Sequence, residues 1–418
     1  MTPATPPTRV IPATTPRSEL DAPAATRAPD ALDLTLDPVS TQQFFDEHCE
    51  RRPLVVARAE AERFDSLLSD EDVERLICES AIRTPAFRLV KDGAQLPLSS
   101  YTTDIAWRPG SFSGTVLVDR VAEEHAAGAT IVLQALHLHW HPAAVYCRGL
   151  EAGLGWPAQA NAYRTPASSQ GFGVHHDTHD VFVLQVCGHK RWRVYEPVVE
   201  LPLKNQRWSR DRDAEQLGEP VHDITLQAGD TLYLPRGWAH EATAADADSL
   251  HITVGLHPPS RLDALRAALS ECADDVEFRR SLDADGELAG ELLERLAARL
   301  GRDEVARRAR RRFVDGRRPI LDGQLSQIRA LERLTLQSPL ERRPTVIAEL
   351  ERGDDGATLR FEGKQLRFPA QAAVAVAAVH AAGELFTPAE LPGPLDAASR
   401  LVLAKRLVRE GFLRQPKP

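Results

Sequence analysis

Two histidines and one aspartate carry the clearest chemistry in this chain. His175 and Asp177 stand two apart in Gly171-Phe-Gly-Val-His-His-Asp-Thr-His-Asp-Val-Phe-Val-Leu-Gln, just ahead of an apolar run. Residues i and i+2 of an extended segment share a face, so both side chains can reach one point. His240 follows 63 residues after Asp177, at the end of Gly229-Asp-Thr-Leu-Tyr-Leu-Pro-Arg-Gly-Trp-Ala-His. Two imidazoles and a carboxylate on one face of a metal leave the opposite face open, which suits Fe(II) and dioxygen chemistry. A bare His-x-Asp is usually an ordinary strand pair. The apolar strand after it, and the Gly-Asp turn, strand and Pro-Arg-Gly loop before His240, make this constellation specific. On a strand His176 would face away, whereas His179 shares the parity of the pair and could equally be a supporting or a core residue.

Other polar residues can be placed around that centre. A lysine beside a turn is ordinarily solvated. A dicarboxylate co-substrate chelating the metal would, however, need a cation for its far carboxylate. Lys190, 15 residues after His175, could supply it from the start of a strand returning from a Gly188-His-Lys turn. Asn161 and Tyr163 alternate on the preceding strand and could face the same cavity or simply hydrogen-bond within the sheet. His137-Leu-His139-Trp-His141 resembles a metal cluster but reads as structural, on a strand entering a helix. The run Arg307, Arg308, Arg310, Arg311, Arg312, Arg317 and Arg318 is first a solvated helix face, and second a contact for an acidic partner such as RNA. The last helix offers only Arg400, Lys405, Arg406 and Arg409, with few aromatic residues, so a protein contact fits better than direct nucleic-acid binding.

The elements that must position these residues follow from composition and period. With 418 residues, 43% hydrophobic and 27% charged, the chain is long enough for two or three ordinary globular domains. A net charge of −9 argues against general polyanion binding. Five scattered cysteines without a Cys-x-x-Cys pair point to neither a disulfide framework nor structural zinc, and fit a reducing cytoplasm. No apolar run suits a membrane span, and the N-terminus lacks the order of a signal peptide. Residues 1–30, rich in Pro, Thr, Ala and Ser, are expected to form a disordered tail. The stretch 160–257 reads as many short strands with Gly and Pro turns, an arrangement expected of a cupin-like jelly roll. After Pro258-Pro259 the period turns helical at Leu262, Leu265, Leu269, then Leu292, Leu293, Leu296 and Leu300. A hairpin about Gly363, an Ala-rich helix at 370–382, a Thr387-Pro-Ala-Glu390 capping box and a last helix ending at Gly411 would suit a winged helix.

The stretch from Gly171 to Tyr195, with Arg52-Pro-Leu-Val-Val and the motif ending at His240, closely resembles the JmjC-type ribosomal oxygenases, or cupin-4 family. The resemblance implies an α+β chain: a double-stranded β-helix (cupin/JmjC jelly roll) over 31–260, a helical dimerisation region over 261–340 and a winged helix over 341–418. It implies an Fe(II)- and 2-oxoglutarate-dependent dioxygenase, using O2 to hydroxylate a His or Arg side chain of a ribosomal protein at its β-carbon. By position, His175, Asp177 and His240 match the catalytic iron ligands, and Lys190 matches the residue on the distal carboxylate of 2-oxoglutarate. Asn161 and Tyr163 match an Asn-x-Tyr pair at the co-substrate site, and Thr253 a polar residue on the strand after the last ligand. A homodimer is also implied. Three departures stand out: Cys49 replaces an aromatic residue, the loop between His240 and His251 is shorter than in animal members, and Gly255 replaces a small hydroxyl residue of the pocket. The last two leave the substrate open. A hydroxylase tailoring a peptide natural product or free amino acid would share every iron residue. A metal-binding scaffold docking on the ribosome without catalysis is the alternative from a different class. A histone-type demethylase has the least support, since nothing in the acidic composition suggests chromatin contact.

Overall fold

The computed structural model describes residues 10–12, 31–282 and 290–416. The expected tail at 1–30 lies outside them except for Val10–Pro12, which departs from expectation by pairing in parallel with the strand Leu54–Ala57. The chain divides into two compact units, 1–258 and 259–418.

The first unit is built around one strand. Asp180–Tyr195 runs for 16 residues and is paired along its whole length. Its first half lies between Thr231–Leu234 and Ser249–Leu256, and its second half pairs with His222–Gln227 and Ala239–Thr243. The sheet continues from Ser249–Leu256 through Ala158–Thr165 and Thr130–Leu133 to Phe87–Lys91. Alternation decides what each face does. Phe182, Leu184 and Val186 join the large core that also holds the helices Ala31–Leu36, Thr41–Glu47, Asp70–Cys78 and His141–Leu154. Val181 and Val183 face the other way, into a smaller cluster with Trp192, Val194, Leu226 and Leu232. The first half of the strand is apolar on both faces because both are buried there, while Arg191 and Arg193 of the second half face solvent.

The expected turn at Gly188-His-Lys190 does not form; the strand continues through it. Gly188 takes φ 63°, and a Cβ there would stand 1.8 Å from the carbonyl oxygen of Asp248. The partner strand shifts register between Leu250 and His251 at the same place. Only glycine tolerates both the left-handed backbone and the close approach, so the feature is a bulge that bends one strand from its first set of partners to its second. Lys190 therefore lies inside a continuous strand.

Helix starts follow their sequence signals. Ser69 caps Asp70–Cys78 through a reciprocal bond with Asp72, and Ser40 caps Thr41–Glu47. Buried Arg58 ties the segment after Leu54–Ala57 to the rest, donating to the carbonyls of Thr35 and Gly229 and to the Thr231 hydroxyl. Asp230 accepts from the Arg58 and Gln227 backbone amides, closing the turn before Thr231–Leu234.

The second unit contains the helices Arg261–Ser270, Gly290–Arg299, Arg302–Asp315 and Gln324–Ala330, then a three-stranded antiparallel sheet. Its strands, Ala348–Gly353, Gly356–Phe361 and Lys364–Pro369, are followed by helices Ala370–Ala381 and Ala397–Glu410. Leu359, Phe361, Val376, Leu407 and Phe412 meet in its core. The arginine run is largely used internally: Arg307 and Arg308 pair with Glu304 at 2.9 and 3.0 Å, Arg311 with Glu351 at 2.7 Å, and Arg310 lies over Phe313. No helix among the described residues is long and apolar enough to cross a membrane.

Candidate metal centre

The segment carrying His175 and Asp177 is a loop entering the long strand, not a strand in its own right. Four bonds lock it to the loop carrying His240. His175 and His240 exchange backbone hydrogen bonds of 3.1 and 2.8 Å, forming an isolated antiparallel bridge. The Gly237 amide donates to the Asp177 carbonyl at 3.0 Å, and the Arg236 amide to the buried Asp180 carboxylate at 3.0 Å. Asp180 also accepts the Tyr233 hydroxyl at 2.6 Å. The Pro-Arg-Gly-Trp motif is thus a clamp that presses one ligand-bearing loop on the other.

The three side chains converge. One ligand atom each from His175, Asp177 and His240 lie within 4.8 Å of one another, and this is the only such group among the described residues. His240 Nε2 stands 3.9 Å from Asp177 Oδ2, and the two imidazole centroids are 4.6 Å apart. His175 Nδ1 is 2.8 Å from the Gly173 carbonyl and His240 Nδ1 is 3.0 Å from the Trp238 carbonyl. A carbonyl can only accept, so Nδ1 carries the proton on each ring and Nε2 is left with a free lone pair. Burial, reinforced by neighbouring His175, lowers His240 to about 4, so it is a neutral ligand at ordinary pH. Burial alone would raise the Asp177 carboxyl, but the surrounding imidazoles of His179, His175 and His240 hold it below the usual carboxylate range. Two neutral nitrogen donors and one anionic oxygen with an open side fit a divalent iron, cobalt or manganese ion.

These residues open on a cavity of about 530 Å³, its mouth included. Lys190, Tyr163 and Thr253 line it, as expected. The Lys190 ammonium is 3% exposed and donates to the Thr165 hydroxyl at 2.9 Å, and no carboxylate neighbours it among the described residues. Burial pushes it down to about 7. Burial raises the Tyr163 phenol to about 12, with the Asp177 charge adding to the effect. Asn161 is not among the lining residues. Its side-chain oxygen accepts from the Ala135 amide at 2.9 Å, holding a left-handed turn at that residue, and its amide acts on the Tyr163 hydroxyl. It shares its strand face with Tyr163 and pairs across with Thr253, so it steadies the wall those two residues form.

The other histidines separate cleanly. His176 is buried away from the centre, bonded to the Gln206 carbonyl and packed on Trp208. His179 stacks on His257 at 4.7 Å. Gly255 leaves room for that ring: a Cβ there would lie 2.6 Å from His179, which would have to shift. His137 lies in a 3-10 turn rather than on a strand, and its Nδ1 accepts from the Ala160 amide at 3.2 Å. Phe172, Trp192 and His251 are among the lining residues that the sequence did not single out. His251 had a signal, since it alternates with Thr253 on one strand. Phe172 lies in a loop and Trp192 beyond the bulge, where local pattern says nothing about facing.

Residues 140–264 match the JmjC domain family. Curated relatives include ribosomal oxygenase 1 of Danio rerio, 31% identical over 60% of this chain and 46% of that protein. Ribosomal oxygenase 1 of Gallus gallus is 32% identical over 62% of this chain and 43% of its own length. The bifunctional lysine-specific demethylase and histidyl-hydroxylase NO66 of Drosophila persimilis is 31% identical over 53% and 30%. The chain thus spans less than half the length of these relatives. Among solved structures, the ribosomal oxygenase YcfD of Escherichia coli, in complex with cobalt and 2-oxoglutarate, shares the fold. Its TM-score is 0.53 at 20% identity, covering 91% of this chain and 98% of that one.

Proposed function

For a chain that carries a JmjC domain of the ribosomal-oxygenase type, we propose an Fe(II)- and 2-oxoglutarate-dependent dioxygenase that hydroxylates a side chain of a ribosomal protein. The single observation that carries this is the joint presence of the open His175–Asp177–His240 trio and a buried, uncompensated Lys190 in one cavity. The trio would hold the iron through His175 Nε2, His240 Nε2 and an Asp177 oxygen. Lys190 would take the far carboxylate of the co-substrate, with Thr165 fixing its ammonium, and Tyr163 and Thr253 would border it. Ferrous iron, when bound, supplies the activation of dioxygen that no amino-acid side chain provides. In the balanced reaction one oxygen atom enters a C–H bond of the target, and the other leaves with 2-oxoglutarate as it becomes succinate and carbon dioxide. Phe172, Trp192 and Tyr163 supply apolar surface to the cavity wall, where charge contacts are stronger than in water. A His or Arg β-carbon remains the proposed target.

In the second unit we read the sheet with helices Ala370–Ala381 and Ala397–Glu410 as the winged-helix module, and Arg261–Ser270 with Gly290–Arg299 as a homodimer surface. Leu262, Leu265, Leu269 and Leu293 are exposed, and no residue of Gly290–Arg299 is buried. Incubation of the protein with Fe(II), ascorbate, 2-oxoglutarate and ribosomal proteins of its source tests the activity. Succinate formation coupled to one added oxygen on a ribosomal protein is expected. Turnover only on free amino acids or non-ribosomal peptides would favour the tailoring alternative, and no oxygen consumption would favour the scaffold.

A further inference from the structure

His251 is the most constrained polar side chain of the cavity wall that has no assigned task. It is 3% exposed, and its Nδ1 is fully buried without a hydrogen-bond partner among the described residues. Its ring is pinned on two sides. Tyr163 stacks on one face at 4.9 Å with only 7° between the planes, and Trp192 meets it edge-on at 5.5 Å. Strand register sets Tyr163 directly across from it, and Trp192 and Lys190 share one face of the long strand. The Lys190 charge reaches the imidazole and, after burial, is the second cause holding it in the neutral form. A neutral imidazole keeps one N–H donor and one acceptor. The buried Nδ1 is out of reach of the cavity that the ring lines, so Nε2 is the nitrogen that can meet a ligand there, beside the Lys190 cation.

We propose that His251 supplies a second hydrogen bond to the carboxylate that Lys190 holds, so that the deep end of the cavity is a two-donor site selecting a dicarboxylate co-substrate over a monocarboxylate. The inference rests on the co-substrate reading above and adds a specificity-determining residue to it. One donor, Lys190, supplies charge; the other, His251, supplies direction, since its plane is set by the rings on either side.

The test compares two ligands by calorimetry on the full chain loaded with Mn(II): 2-oxoglutarate, and 2-oxopentanoate, which has a methyl group in place of the far carboxylate. H251F keeps the ring stack and removes the hydrogen bond. It should weaken 2-oxoglutarate on the order of tenfold to a hundredfold, the scale of one hydrogen bond to a charged group, and leave 2-oxopentanoate and Mn(II) affinity unchanged. H251N, which restores a donor, should recover part of the loss; both variants are checked for native thermal unfolding. Equal weakening of both ligands, or loss of Mn(II) binding, would assign His251 a merely structural role and overturn the proposal. Diacid binding that K190A weakens and H251F leaves untouched overturns this proposal alone. No binding of 2-oxoglutarate by the unsubstituted protein overturns the co-substrate reading together with it.

Discussion

At the scale of residues, the site is a set of polar groups whose ordinary behaviour has been changed by burial. Lys190 shows this best. Burial penalises the charge on its ammonium and pushes it down to about 7. Only the charged form can pair with a carboxylate. Affinity for 2-oxoglutarate should therefore be fully present below about pH 7 and fall as pH rises through that value. Binding itself favours the proton, so the complex should take one up in this range. Calorimetry in buffers of different ionisation enthalpy reads that uptake directly; a lysine still charged to alkaline pH would show none. K190A should weaken the co-substrate by about 2–3 kcal/mol, the upper range for hydrogen bonds to charged groups, leaving metal affinity unchanged. The residues themselves were largely legible. His175, Asp177, His240 and Lys190 could be named from spacing and resemblance because ligands in this arrangement sit beside strong apolar and Gly-Pro signals. For Asn161 the alternation gives the face it shares with Tyr163, while the bond to the Ala135 amide is set by the fold and could not be read locally.

At the scale of elements, two devices position those residues: the clamp between the ligand loops and the bulge in the long strand. The bulge stands where the sequence predicts a turn. A glycine followed by polar residues signals a turn or a bulge equally well, and the deciding contact, the Asp248 carbonyl, lies far along the chain. Gly188→Ala should place a methyl group on that carbonyl and force a left-handed backbone, destabilising the protein by about 2–4 kcal/mol. Because Lys190 is two residues on, the same change should weaken 2-oxoglutarate more than Mn(II); chemical denaturation and calorimetry separate the two effects. A variant as stable as the parent would show that the close approach is not real. Gly255→Ser tests a second close contact. Restoring a hydroxyl residue there should displace the His179 ring and lower stability, not improve activity.

At the scale of the whole molecule, the sequence already implied a β-rich catalytic part and a helical remainder, because periodicity changes abruptly after Pro258-Pro259. The compact units divide at that same place. What could not be read was how the arginine run is spent. Its acidic partners Glu271 and Glu351 are remote in sequence, so the pairing of Arg308 and Arg311 within their own unit could not be read from the run itself. The exposed leucines make the stronger case for an interface. Leu265→Glu with Leu293→Glu should convert a dimer to a monomer in light scattering while leaving Mn(II) binding by the first unit intact. A monomeric parent protein would remove the dimer from the proposal.

The central claim is that three side chains form one iron site beside a dicarboxylate pocket. The most direct measurement is an anaerobic titration with Fe(II) and 2-oxoglutarate, followed by absorption spectroscopy. A visible charge-transfer band should appear only when both are present, saturate at one iron per chain, and vanish in Asp177→Ala and His240→Ala. A band of full strength in those variants, or none in the unsubstituted protein despite bound iron, would contradict it.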